Sequence, residues 1–257
     1  MWDPTTYLHF GDERARPFAD LVARIAAPAA RRVVDLGCGP GTLTAGLTGR
    51  WPDAQVSGLD SSPEMIDKAK ALGSTVDFSI GDVRDWHPDS TVDVVVSNAT
   101  LQWVPGHADL LVRWARELAH GWLAFQVPGN FDAPSHLALH RVLDRPQWRD
   151  RVALFQREPP AVLDPAGYAD LLLGEGWAVD AWETTYLHLL PADPTEHPVL
   201  RWMEGTALRP VRAALPPAQW PAFCADLRPE LAAAYPVRGE VVPFPFRRVF
   251  VVAHLST

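Results

Sequence analysis

The run Val34-Asp35-Leu36-Gly37-Cys38-Gly39-Pro40-Gly41 restricts what this chain can fold into more than any other segment. Apolar residues ending in an acid read as a buried strand, and three glycines at alternate positions read as a tight turn into the helix that follows. Glycine has no Cβ and tolerates positive φ, so such a turn lets backbone N–H groups approach a bound cofactor. Dinucleotide-binding loops favour G-x-G-x-x-G, whereas here Thr42 stands where the third small residue would fall. No Gly-Lys-Ser/Thr follows, so the loop is not a phosphate-cradling P-loop either.

The first half of the chain repeats this theme. Residues 31–37, 55–60, 76–81, 92–98 and 121–127 are short apolar runs bounded by Gly, Pro, Asp or Asn, with segments of helical spacing between them. Ser62-Pro63-Glu64 opens one helix, with proline at its first position and an acid in its first turn. Leu111, Trp114 and Leu118 give another a single apolar face. Alternating strand and helix predict a parallel sheet covered on both faces. Phe18, Leu21, Val22 and Ile25 mark an N-terminal helix beginning near Pro17. After residue 128 the alternation breaks down. The pattern predicts a single domain over 1–257: a cofactor-binding core at 1–128, cap insertions at 129–176 and 191–240, and closing strands at 177–190 and 241–255.

Composition narrows the function. A chain of 257 residues, 47% hydrophobic and 21% charged, suits one globular domain with an elaboration. A formal charge of −8 argues against nucleic acid as partner, because phosphate binding shows as basic excess. It leaves room for an anionic small molecule held in a local positive pocket. No leader or spanning apolar stretch is evident, so a cytoplasmic protein without a membrane partner is expected, as a monomer or weak dimer. Two cysteines are too few for a disulfide framework or thiolate metal site, and no spacing suggests a metal.

Asp-x-Gly-x-Gly-x-Gly resembles the first motif of the Rossmann-like, class I S-adenosylmethionine-dependent methyltransferases. That resemblance implies an α/β fold with a mostly parallel seven-stranded sheet, helices on both faces and a helical cap. In open α/β sheets ligands bind beyond the carboxyl ends of the strands. Asp35, Gly37, Gly39 and Gly41 form the turn itself. Asp60 ends the second strand, where a carboxylate can accept both ribose hydroxyls. Asp82, with the Val83 N–H, ends the third and suits the adenine amino group. Asn98 and Ala99 end the fourth, beneath the methionine moiety, with Trp103 as a pocket wall.

Further segments resemble the trans-aconitate methyltransferases nearly end to end: Trp2-Asp3-Pro4, Tyr7-Leu8-His9-Phe10, Gly58-Leu59-Asp60-Ser61-Ser62-Pro63 with Met65-Ile66, Asn98-Ala99-Thr100-Leu101-Gln102-Trp103, Trp182-Glu183-Thr184-Thr185-Tyr186, Gly205-Thr206-Ala207-Leu208-Arg209-Pro210 and Phe246-Arg247-Arg248-Val249. The resemblance adds Ser61 and Met65 to the cofactor set. It implies transfer of a methyl group from S-adenosyl-L-methionine to a carboxylate of trans-aconitate, with S-adenosyl-L-homocysteine as the second product. The alternative is another small carboxylic acid or a secondary metabolite; a nucleic-acid or protein methyltransferase and a non-catalytic S-adenosylmethionine-binding module are the rival classes.

A carboxylic acid has a pKa near ~4, so it is ionised at neutral pH, and no catalytic general base is expected. A polycarboxylate needs cationic anchors, and arginine grips carboxylates bidentately. Arg209 and one of Arg247 and Arg248 are the expected anchors, with Arg247 carried in the candidate set, since neighbours on a strand face opposite ways. Gln126, Asn130, Tyr186 and His188 assist them, and Tyr7 and His9 would close over the sulfonium.

Overall fold

The computed structural model describes residues 11–149 and 162–255. Tyr7 and His9 lie outside the described residues. The chain divides into two compact units, one holding 14–128, 162–184 and 248–255, the other 11–13, 129–149 and 185–247. The division falls inside two long strands near the C-terminus.

The described strands are β1 (Arg32–Leu36), β2 (Gln55–Asp60), β3 (Asp77–Ile80), β4 (Val94–Asn98), β5 (Gly121–Pro128), β6 (Ala178–Pro191) and β7 (Val241–Leu255). They form a sheet of order β3-β2-β1-β4-β5-β7-β6. β1 pairs in parallel with β2 and β4, β2 with β3, and β4 with β5, while β7 runs antiparallel to β5. The five early strands match the five apolar runs. The reason is visible in β4, whose Val94, Val95 and Val96 are fully buried, as central parallel strands must be.

Helices follow the strands: α1 (Gly11–Ala23), α2 (Thr42–Arg50), α3 (Pro63–Ala71), α4 (His107–Glu117), α5 (Pro134–Leu143), α6 (Pro146–Arg149), α7 (Pro165–Leu173), α8 (Pro198–Glu204), α9 (Arg209–Ala214) and α10 (Trp220–Ala234). Ser62 caps α3 by accepting from the Met65 N–H, with Glu64 in the first turn and Lys68 and Lys70 in the last, each complementing the helix dipole. The apolar face of α4 buries Leu111, Trp114 and, just beyond its end, Leu118.

Three expectations need correction. α1 starts at Gly11 and carries Pro17 inside it, although a proline there forgoes one helical hydrogen bond. Residues 81–93 join β3 to β4 without a helix. Their aspartates take backbone N–H groups instead, Asp82 from Arg84 at 2.8 Å and Asp89 from Thr91 at 2.8 Å, which favours turns. Finally, α7 falls within the first expected cap insertion, yet it groups with the sheet. Its Tyr168 and Leu172 are fully buried in the same cluster as Leu111, Trp114 and Phe125.

The second unit has its own core. Leu139, Val142, Val199, Trp202, Phe223, Leu227 and Phe244 form one buried cluster around α5, α8 and α10. Among the described residues no helix is long and apolar enough to cross a membrane.

Candidate active site

β2 and β3 extend from β1 toward one edge and β4 and β5 toward the other, so the strand order reverses between β1 and β4. The glycine turn leaves β1 at that point, where open α/β sheets bind ligands. Gly37, Gly39 and Gly41 have φ of 83°, 55° and 76°. A Cβ on Gly37 would overlap the Thr100 side chain, and one on Gly41 would overlap Phe78 and Ala69. On Gly39 it would meet nothing within 4 Å. The outer glycines are therefore demanded by packing, and the middle one faces open space.

The turn is held by its neighbours on β2. Leu59 O accepts the N–H groups of Gly37 at 2.7 Å and Cys38 at 3.0 Å. Asp60 accepts Gly39 N–H through Oδ2 and Ser62 N–H through Oδ1, each at 2.9 Å. Each oxygen keeps a second lone pair for a ligand hydroxyl. Ser61 is exposed, Met65 is half-buried and Val83 is buried. Asp82 is gripped by the Arg84 guanidinium, whose hydrogen bonds pull its pKa down to about 2.

Asp35 has a different setting. It is 3% exposed, and its Oδ2 accepts the Thr44 hydroxyl at 2.6 Å while Oδ1 has no hydrogen-bond partner among the described residues. Burial pushes its pKa up to about 7, the Thr44 hydrogen bond opposes this, and the Asp60 charge adds to the rise. Asp35 is therefore protonated on the acid side of neutrality and ionised on the basic side.

A second polar group lies at the ends of β4 and β5. Asn98 is opposite Gln126 in register, and the Ala99 N–H donates to the Gln126 carbonyl at 2.9 Å. Ala99 has φ of 54°, costly for a residue with a Cβ, and its carbonyl accepts Gln102 Nε2 at 2.6 Å. Gln126 is 0% exposed; its Oε1 accepts from Arg248 Nη1 at 3.1 Å, and Arg248 is itself 5% exposed. Asn98 Oδ1 and Gln126 Nε2 have no hydrogen-bond partner among the described residues. A buried donor or acceptor left so costs about 1–3 kcal/mol.

The remaining expected residues have settings of their own. Trp103 is 51% exposed rather than buried in a wall. Arg247, carried in the candidate set, belongs to the second unit, where its Nε donates to Gly129 O at 2.7 Å and its Nη2 pairs with Asp132 at 3.0 Å. Its backbone N–H donates to Asn130 Oδ1 at 2.7 Å, so Asn130 and Arg247 close a loop together. Tyr186 and His188 are buried in that unit, with the His188 ring stacked on Trp202 at 4.8 Å. Arg209 opens α9 and is exposed. Of the paired arginines, Arg248 is the one that reaches Gln126. The signal lay in strand register: Phe250 is opposite Gln126, and Arg248, two residues away, shares its face.

The turn fits S-adenosyl-L-methionine, because an open Gly39 and an Asp60 with lone pairs to spare are what a nucleoside edge requires. Strand order, the antiparallel β7 beside β5 and this turn define a class I, Rossmann-like methyltransferase that uses S-adenosyl-L-methionine. Residues 33–121 match the methyltransferase domain family. The chain is 55% identical to a trans-aconitate 2-methyltransferase of Mycolicibacterium gilvum over 259 residues, covering 100% of both chains. It is 53% identical to one of Rhodococcus jostii, again covering 100% of both. Among solved structures, the YcgJ protein of Bacillus subtilis shares the fold, with a TM-score of 0.58 at 12% identity over 94% of this chain and 99% of that one. The chain belongs to the trans-aconitate 2-methyltransferase family.

Proposed function

We propose that the protein methylates one carboxylate of trans-aconitate, giving the monomethyl ester. The observation that carries this reading beyond kinship is the buried Arg248 guanidinium on β7, with only β5 between that strand and the one that ends at Asn98. A cation kept out of water beside a methyl-donor site favours an anionic acceptor.

In this reading the cofactor is held by the 37–41 turn, by Asp60 with Ser61 and Met65, by Asp82 and Val83 at its adenine end, and by Asn98 and Ala99 below its methionine end. When bound, S-adenosyl-L-methionine supplies a methyl group activated by a cationic sulfur, open to in-line displacement by a carboxylate oxygen. The acid arrives ionised, so no residue needs to remove a proton. What the chain contributes is position: holding reacting groups in line supplies on the order of 7–11 kcal/mol. Arg248 draws the polyanion toward the β5 end; Arg209 is proposed as a further anchor from its motif alone. Small polycarboxylates are thus the substrate class.

The test is incubation with S-adenosyl-L-methionine and, separately, trans-aconitate, cis-aconitate, citrate and isocitrate, with the methyl ester read by mass spectrometry. Trans-aconitate is expected to turn over fastest. Equal inactivity on all four would remove the reading, while preference for another acid would move the protein to a different small carboxylate.

A further inference from the structure

The buried amide of Gln126 has its orientation fixed from one side and is left open on the other. Arg248 has only N–H groups to offer, so the Gln126 atom that meets Nη1 must be the carbonyl oxygen Oε1. Flipping the amide would set donor against donor. The Nε2 group is thereby committed to be a donor, in a residue that is 0% exposed, with no acceptor among the described residues. Its location is equally fixed. Gln126 is opposite Asn98 in register and takes the Ala99 N–H on its backbone carbonyl, which ties it to the turn assigned to the methionine end of the cofactor.

We propose that Gln126 selects and orients the reacting carboxylate, donating from Nε2 to the oxygen that is not methylated, while Arg248 acts as a positioning residue that holds the amide. This rests on the carboxylate-methylation reading and deepens it. A guanidinium that gripped the same carboxylate with two N–H groups would draw charge from both oxygens, and so blunt the one that must attack. A single amide donor leaves the second oxygen free. The contact also survives the reaction, because the oxygen it binds becomes the ester carbonyl, still an acceptor. An acceptor alcohol or amine presents no such second oxygen, so this donor discriminates by chemical class.

The test compares Gln126→Leu and Gln126→Glu with the wild-type enzyme in steady-state kinetics on trans-aconitate, cofactor affinity by calorimetry, and thermal unfolding. Gln126→Leu is expected to lose roughly 10- to 100-fold in kcat/KM for the acid, the cost of one hydrogen bond to a charged group. Its cofactor affinity should be unchanged, while its melting temperature falls, since the buried Arg248 guanidinium loses the Gln126 acceptor. Gln126→Glu keeps an acceptor for Arg248 and fills the same volume, but it faces the acid with a negative charge. It should fold and lose at least as much, and it decides the matter if the leucine variant is poorly folded. Wild-type kcat/KM in either folded variant, or cofactor affinity that falls in step with that for the acid, would overturn the role of Gln126 and leave the methylation reading standing. A wild-type enzyme inactive on every acid would overturn both.

Discussion

The glycine turn and the Gln126–Arg248 crossing belong to one unit, and both bury polar groups, but they are completed in different ways. In the turn the backbone N–H groups of Gly37, Cys38, Gly39 and Gly41 all find acceptors within the chain. Its shape needs no ligand. At the crossing, Gln126 Nε2 and Asn98 Oδ1 are buried and unmatched among the described residues. The first region is a finished cradle, and the second is a set of unused hydrogen-bonding groups that, in the proposed reading, a ligand completes. A protein that must bind a donor and then choose an acceptor gains from this division: the cradle is always ready, and the choice is made where bonds are still to be formed.

The sharpest way to break the contrast is Gly41→Ala. Its φ of 76° and the overlap with Phe78 and Ala69 should cost about 3 kcal/mol of stability or prevent folding, read by urea unfolding. Gly39→Ala, with open space around it, should cost only about 1 kcal/mol and fall mainly on cofactor affinity. Equal stability losses at the two positions would show that the turn is not a packed cradle with one open side. Next in size, Asp60→Ala removes the acceptor of Gly39 and Ser62 and should weaken cofactor binding by about tenfold or more in calorimetry. Unchanged affinity would detach Asp60 from the site.

Asp35 sharpens the comparison through pH. Its pKa in the fold, about 7, lies above its value of about 3.8 as a free side chain. Between the two, the native state carries a proton that the unfolded chain lacks, so stability is fully present below pH ~4 and is lost as pH rises toward ~7. The slope is up to about 1.4 kcal/mol per pH unit. Asp35→Asn lacks this slope, so the wild type should lose melting temperature relative to the variant between pH 5 and 8. Parallel curves would mean that Asp35 is ionised in the fold. The smallest effect is expected from the exposed Arg209→Ala: stability within about 0.5 kcal/mol, with a KM for the acid that rises while that for the cofactor does not. An equal rise in both would make Arg209 a structural residue.

The regions also differ in how much the sequence reveals of them. Strands β1 to β5 were legible because each is one contiguous apolar run, and the turn was legible because its glycines sit side by side in the chain. Asp60 followed as the acid ending the next strand. The missing helix at 81–93 was not legible, since aspartates that bond their own backbone look like ordinary polar residues until the turns are seen. Nor was the choice between Arg247 and Arg248. Arg248 and Gln126 are 122 positions apart, and only the antiparallel register of β7 on β5 says which arginine shares the face of Gln126. Tyr186 and His188 look like pocket residues in the sequence. The aromatic cluster they join in the second unit comes from α8 and β7, which local spacing does not show.

Thr100 fills the volume that a side chain on Gly37 would need, and its hydroxyl donates to the Gly37 carbonyl at 3.3 Å. The segments after β1 and β4 are therefore keyed to one another, tooth to notch, across 63 positions of sequence. Grafting either segment alone from a distant methyltransferase would jam the key, so an engineer changing donor specificity here would have to move both pieces as one cassette.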